Sequence, residues 1–149
     1  MDKSVAAIGL VARDGPDGER RYLLRWSPHW RQWNLFGGHV EDDEDERGCL
    51  AREANEELGD GVRLSIAAKP RMRLAYDAVS KRTGKLTAYD VSVFDASLVD
   101  PDALPDLTSG IQNLWRTADE ILIGQALGSD LVSFMTRKIV GQLEGVQAS

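Results

Sequence analysis

The chain has 149 residues, 42% of them hydrophobic, and a formal net charge of −6. That length is one ordinary domain, able to bury about 70% of its unfolded surface, and the composition is globular rather than disordered. The acidic balance and the lack of a basic stripe argue against long nucleic acid as a partner, and the longest apolar run near the start, residues 5–12, is too short to span a bilayer. The single cysteine, Cys49, cannot form an internal disulfide. It fits a reducing, cytoplasmic setting and a small buried helix position.

Residues 3–13 read as a buried strand, followed by a turn at 14–18 and a second strand over 20–27. A loop over 28–32 leads to an extended segment, 33–40, broken by the Gly37-Gly38 pair. A helix is expected from about Asp45 to Leu58, with Asp43 and Glu46 as a box-like start and Gly59 as the stop. Strands follow over 62–67, 72–79 and 86–98, the last two as a hairpin across 80–85. Residues 99–110 form a loop, and another strand is expected over 111–116. Thr117 with Glu120 is a capping box for a short helix. Ser129 or Asp130 is expected to cap a final helix to about Leu143, with Leu131, Met135 and Ile139 on one face. No repeat or linker divides the chain, so residues 1–149 are expected to be one domain with helices packed on a mixed sheet.

Charge is concentrated in one place. Residues 41–57 carry nine carboxylates and two arginines, a net −7, and the rest of the chain is nearly neutral at +1. On a helical wheel at about 100° per residue, Leu50, Ala51, Ala54 and Leu58 form an apolar stripe, with Glu46, Glu53, Glu56 and Glu57 in an arc beside it. Carboxylates three and four residues apart repel one another, and Arg52 relieves part of this through Glu56. Two readings stand, a solvated acidic face and a site for hard divalent cations. A calcium loop of the helix-loop-helix type does not fit, since counting from Asp42 or Asp43 the glycine at position six or the glutamate at position twelve is missing.

Spacing decides between the two. Gly38 is followed after five residues by Glu44, and after seven more by Arg52-Glu53-Ala54-Asn55-Glu56-Glu57-Leu58-Gly59. This resembles the signature of the Nudix hydrolase family at seven fixed positions, and the remainder is similar in its order of elements. The resemblance implies an α/β fold, an α/β/α sandwich around a mixed sheet. It also implies a hydrolase that cleaves a nucleoside diphosphate linked to another group, such as a nucleoside triphosphate, a dinucleoside polyphosphate or a nucleotide sugar. A nucleotide-binding sensor of the same fold is the alternative. The resemblance further implies that Glu53, Glu56, Glu57 and the carbonyl of Gly38 hold Mg²⁺ or Mn²⁺, that Arg52 orients its neighbouring glutamates, and that Glu44 fixes the helix. It leaves room for a homodimer.

Departures from the pattern are Asp60 at the last aliphatic position, with Val62 nearby, the small Ala54, and Phe36 and Asp43 where many relatives carry Pro and Gly. None removes a carboxylate that the chemistry needs. The general base is Glu53 or an acid of another loop, Asp100, Asp102 or Glu120. Gly37 and Gly38 let the backbone approach a bound group closely. Arg25 is placed to reach a substrate phosphate. Of Trp26, Trp30 and Trp33, Trp30 is the candidate to stack a base and Trp33 the candidate for the core. His29 and His39 are read as structural, and Glu41, Asp42 and Asp45 as solvated. Tyr76 lies sixteen residues beyond Asp60, near where diadenosine polyphosphate hydrolases carry a tyrosine. The sequence lacks the motifs that would point to NADH or coenzyme A.

Overall fold

The computed structural model describes residues 2–28, 31–59, 61–80, 83–104, 113–127 and 130–145. Four residues singled out above, His29, Trp30, Asp60 and Ser129, lie outside them. The chain divides into two compact units, residues 1–10 with 37–100, and residues 11–36 with 101–149. Two strands, β1 (Asp2–Asp14) and β3 (Gln32–His39), contribute residues to both.

In the first unit the long strand β6 (Leu86–Leu98) is the spine. β5 (Met72–Val79) pairs antiparallel with its first half, Met72 opposite Val93 and Val79 opposite Leu86. The short β4 (Leu64–Ile66) pairs with its last residues. β5 alternates half-buried and exposed residues along its whole length, the period-2 pattern of a strand with one covered face. Val91, Val93, Phe94, Ala96 and Leu98 of β6 are buried, as are Cys49, Leu50, Ala54 and Leu58 of the acidic segment. β3 runs unbroken through Gly37 and Gly38, where a break was expected. Glycine at 37 is a packing requirement, because a Cβ there would strike the carbonyl oxygen of Ala7.

In the second unit β2 (Arg20–Ser27) pairs antiparallel with the end of β1, with β3, and with β7 (Asn113–Thr117). Leu23, Leu24, Trp33, Leu35, Leu114 and Trp115 are buried. The Thr117–Glu120 capping box forms as expected at the head of α2 (Ala118–Ile123). The C-terminal region differs from the sequence reading. Residues 130–132, expected inside or capping the last helix, are strand β9 (Asp130–Val132), parallel to β3 with Val132 opposite Trp33. A further strand, β8 (Gln125–Leu127), precedes it and was not expected at all. The helix itself, α3, is Phe134–Leu143, and Ser133 is its cap. Leu131 is therefore not on a helical face, and the buried side of α3 is Thr136, Ile139, Val140 and Gly141. Pairing with β3 on one side and β8 on the other, with Val132 N–H donating to Gly124 O at 2.8 Å, occupies backbone groups that a helix end would leave open.

Ser133 does two jobs. Its hydroxyl accepts from Thr136 N–H at 3.2 Å and donates to Thr136 Oγ1 at 3.0 Å, and Thr136 Oγ1 in turn accepts from Leu35 N–H at 3.0 Å. Ser133→Ala removes the cap and one link of a buried chain of hydrogen bonds. It should lower stability by about 1–2 kcal/mol in a urea melt. A loss below a few tenths of a kcal/mol would contradict this account of the helix start.

Candidate active site

The acidic segment begins with a turn in which Glu44 N–H donates to Glu41 O at 3.1 Å. Helix α1 (Glu46–Glu53) starts at Asp45, whose carboxylate accepts from Gly48 N–H at 2.7 Å. The cap is thus two residues later than the Asp43 expected, and Asp45, read as merely solvated, holds the first turn. After Glu53 the helix widens into a π-helical turn over Ala54–Leu58, where a continuous α-helix was expected.

The change of winding alters which faces are buried. In a regular helix Glu57 would point within about 20° of Leu50. Cys49, Leu50, Ala54 and Leu58 are buried, so that direction leads into the core. In the structure Glu57 and Glu56 are exposed. Ala51, expected in the apolar stripe, is exposed too, and its place is taken by Cys49 and by Glu53, which is only 9% exposed. π-Helical turns of this kind are rare and recur at functional sites.

Arg52 organises the surrounding groups. Its guanidinium has five N–H donors in a planar fork. Nε and Nη2 grip Glu44 in bidentate fashion at 3.0 and 2.8 Å. Nη2 also donates to the carbonyl of His39 at 3.1 Å. Nη1 donates to Glu53 Oε1 at 3.1 Å and Glu56 Oε2 at 3.2 Å, with Glu41 farther off at 3.8 Å. Glu44 is fixed from a second side, since its Oε1 accepts from Glu41 N–H at 3.0 Å. The guanidinium holds the Glu44 carboxyl down at about 2, and the ring of carboxylates raises Arg52 far above its ordinary value.

Gly38 is the second constraint. A Cβ at this position would occupy the space of the Glu53 carboxylate. The glycine therefore lets a buried acid reach the backbone at the end of β3. Cys49 Sγ lies 3.6 and 3.4 Å from the carbonyl oxygens of Gly38 and His39. Burial pushes its thiol up to about 12, which keeps it protonated and inert. His39 is exposed at the surface, with Nδ1 3.0 Å from Ser4 Oγ.

The structure thus brings Gly38, Glu44, Arg52, Glu53 and Glu56 together. Glu57 follows Glu56 on the exposed side. Among the described residues, no three acidic, histidine or cysteine side chains close into a finished cation cage. One oxygen each of Glu53 and Glu56 is held by Arg52. The donor set is nonetheless of hard carboxylate oxygens, one of them buried in a cradle that only glycine leaves open, and this chemistry fits a hard divalent cation. Arg25 belongs to the second unit, where its Nη1 donates to Asn113 Oδ1 at 2.8 Å. Of the acids considered for the general base, Glu120 accepts from Thr117 N–H at 3.0 Å and is committed to its helix cap. The anchoring carbonyl of His39 and the Gly48 half of the cap were missed from sequence, because backbone partners leave no mark in composition.

A family model described as NUDIX domain matches residues 3–132. The chain belongs to the Nudix family. By family it is a Nudix pyrophosphohydrolase. No curated protein sequence matches it. Among solved structures, it is similar to the C. elegans Ap4A hydrolase at 20% identity and a TM-score of 0.64, over 99% of this chain and 100% of that one. It is also similar to the E. coli dihydroneopterin triphosphate pyrophosphohydrolase, at 17% identity and 0.64, over 95% and 97%. A third is the E. coli ORF135 protein, at 19% and 0.63, over 99% and 93%. At these identities the likeness is one of fold, a mixed α/β architecture with few helices. No helix of the described residues is long and apolar enough to cross a membrane.

The Glu44–Arg52 pair makes a pH signature. The unfolded chain binds a proton at Glu44 near 4.5, whereas the folded protein resists it until about 2. Stability from the pair is therefore complete above about pH 4.5 and fades as pH falls toward 2. Glu44→Gln should be less stable than wild type at pH 7, and the gap in urea midpoint should shrink at pH 3. A gap of equal size at both pH values would contradict the pairing.

Proposed function

We propose that this Nudix chain, acting as one domain over residues 1–149, is a divalent-cation-dependent hydrolase of a nucleoside diphosphate joined to another group. The observation that carries the reading is the carboxylate set held by Arg52 beside Gly38, in a segment of net charge −7. Like charges gathered this closely repel, and a bound divalent cation relieves that repulsion while attracting an anionic substrate. Glu53, Glu56, Glu57 and the carbonyl of Gly38 would hold Mg²⁺ or Mn²⁺, which supplies a Lewis acid that neutralises the diphosphate and makes water easier to deprotonate.

The remaining steps belong to the chain's own residues. Arg52 aims Glu53 and Glu56, and Glu44 with the His39 carbonyl keeps Arg52 from swinging away. Gly38 leaves room for the buried carboxylate. Glu53, Asp100 and Asp102 are the acids able to take the proton of the attacking water. Arg25 would bind a phosphate, Gly37 would admit close backbone approach, and Trp30 would stack a base. Within the class, a dinucleoside polyphosphate has one feature in its favour. Tyr76 and Tyr89 form a stacked pair at 5.2 Å in a cavity of about 390 Å³, an aromatic platform of the kind that holds a base. The C. elegans structural neighbour is an Ap4A hydrolase. A cytoplasmic setting belongs to the same proposal and rests on the lone, buried, unlinked Cys49.

The test is turnover of a panel of nucleotides with Mg²⁺, read as released phosphate products. Wild type should turn over at least one nucleoside diphosphate derivative. Glu53→Gln and Glu57→Gln should each lose on the order of a hundredfold or more while keeping the wild-type circular dichroism spectrum. Near-wild-type turnover in both variants would move the site elsewhere. Tight nucleotide binding without turnover in wild type would favour the sensor reading.

A further inference from the structure

The sheet of the first unit ends in an open edge. β4 and β5 both run antiparallel along β6, and among the described residues β5 pairs with no other strand. One bond fixes which of its groups are free. Ser80 N–H donates to Lys85 O at 2.8 Å, and this pair continues the register in which Val79 faces Leu86. In an antiparallel ladder, hydrogen-bonded pairs alternate with non-bonded ones. Leu74, Tyr76 and Ala78 therefore turn their backbone groups toward β6. Arg73, Ala75 and Asp77 turn theirs outward. All three are exposed. An unpaired edge of this length is a template for another strand.

The side chains specify that strand. We propose that β5 is a docking edge for a second copy of this chain, the two β5 strands pairing antiparallel about a two-fold axis at Ala75. This register sets Arg73 of each copy opposite Asp77 of the other, and Ala75 opposite Ala75. On the other face Leu74 lies opposite Tyr76. The paired residues on the Arg73 face are the ones whose backbone groups point outward, so the ion pairs and the new ladder form in the same register. The contact is isologous and closes at two copies.

Other registers lose the match. A slide of two residues one way sets Arg73 against Val79 and Asp77 against Ala75. The opposite slide brings Asp77 to Arg71, whose guanidinium already holds Asp95 at 3.0 Å and whose N–H donates to Val93 O. Parallel pairing in register would set Arg73 beside Arg73 and Asp77 beside Asp77. Charges at a sheet edge guard it against indiscriminate pairing. Here they reject a parallel copy and admit an antiparallel one. Arg73 lies 3.5 Å from Glu46 of its own chain, yet its side chain is 57% exposed and remains accessible to a partner. A strand pair alone is small beside a standard interface, so the dimer should depend on concentration.

Sedimentation velocity across a micromolar-to-millimolar series tests this without substrate or metal, and stands apart from the catalytic reading. Wild type should shift from monomer to dimer as concentration rises. Arg73→Asp and Asp77→Arg, which each set like charges opposite one another, should remain monomeric. The double variant R73D/D77R should dimerise again. Ala75→Pro removes an outward N–H and none directed at β6, so it should stay folded and monomeric. Amide hydrogen exchange should slow at Arg73, Ala75 and Asp77 as the dimer forms. A wild type monomeric throughout, single or proline variants that dimerise like wild type, or a double variant that does not recover would each overturn the proposal.

Discussion

The arrangement of the acidic segment depends on one guanidinium. Arg52 presents five N–H groups, and each has an acceptor: two on Glu44, one on the His39 carbonyl, one on Glu53 and one on Glu56. A lysine could not do this, because a compact ammonium lacks the planar fork. The fork ties the end of β3, the loop that follows it and the helix into one piece. Without it, the carboxylates would separate to the limit of their tethers. With it, they are crowded together, at an electrostatic cost that a bound cation would relieve.

The π-helical turn has a separate cause in the core beneath the helix. A regular helix would direct Glu57 into the direction already filled by Leu50 and its buried neighbours, and an ionised carboxylate cannot be buried there without a partner. Widening the helix after Glu53 keeps Ala54 and Leu58 buried and leaves Glu56 and Glu57 exposed. The segment thus divides its acids by environment. Glu44 and Glu53 are covered and locked by Arg52, and Glu56 and Glu57 face solvent. Gly38 completes the division by giving Glu53 the space that a side chain would fill.

Much of this was legible in the sequence. The strands over Arg20–Ser27, Met72–Val79 and Leu86–Leu98 fall where alternation and turn residues put them, because those signals are local and repeated. The Glu44–Arg52 relation spans eight residues and obeys no helical i,i+4 rule. It came only from the signature spacing. The three-residue strands β8 and β9 carry too few positions to show a period, and β9 owes its conformation to pairing with β3. The switch from α- to π-winding depends on how far the core covers the helix beside Leu50, and the wheel, which places Glu57 next to the apolar stripe, does not record that. The displaced cap has a similar origin, since Asp43 and Asp45 are chemically equal candidates and the turn at Glu41–Glu44 selects between them.

The central claim is that Arg52 acts by holding carboxylates in position rather than by its charge. The two roles predict opposite signs for one measurement, the Mn²⁺ affinity of the Arg52→Gln variant, read by paramagnetic titration with the fold checked by circular dichroism. By charge alone, removing a cation from beside a cation site should tighten Mn²⁺ binding. If Arg52 positions Glu53 and Glu56, binding should instead weaken by about tenfold or more. Mn²⁺ binding that is unchanged or tighter in the folded variant would contradict the account.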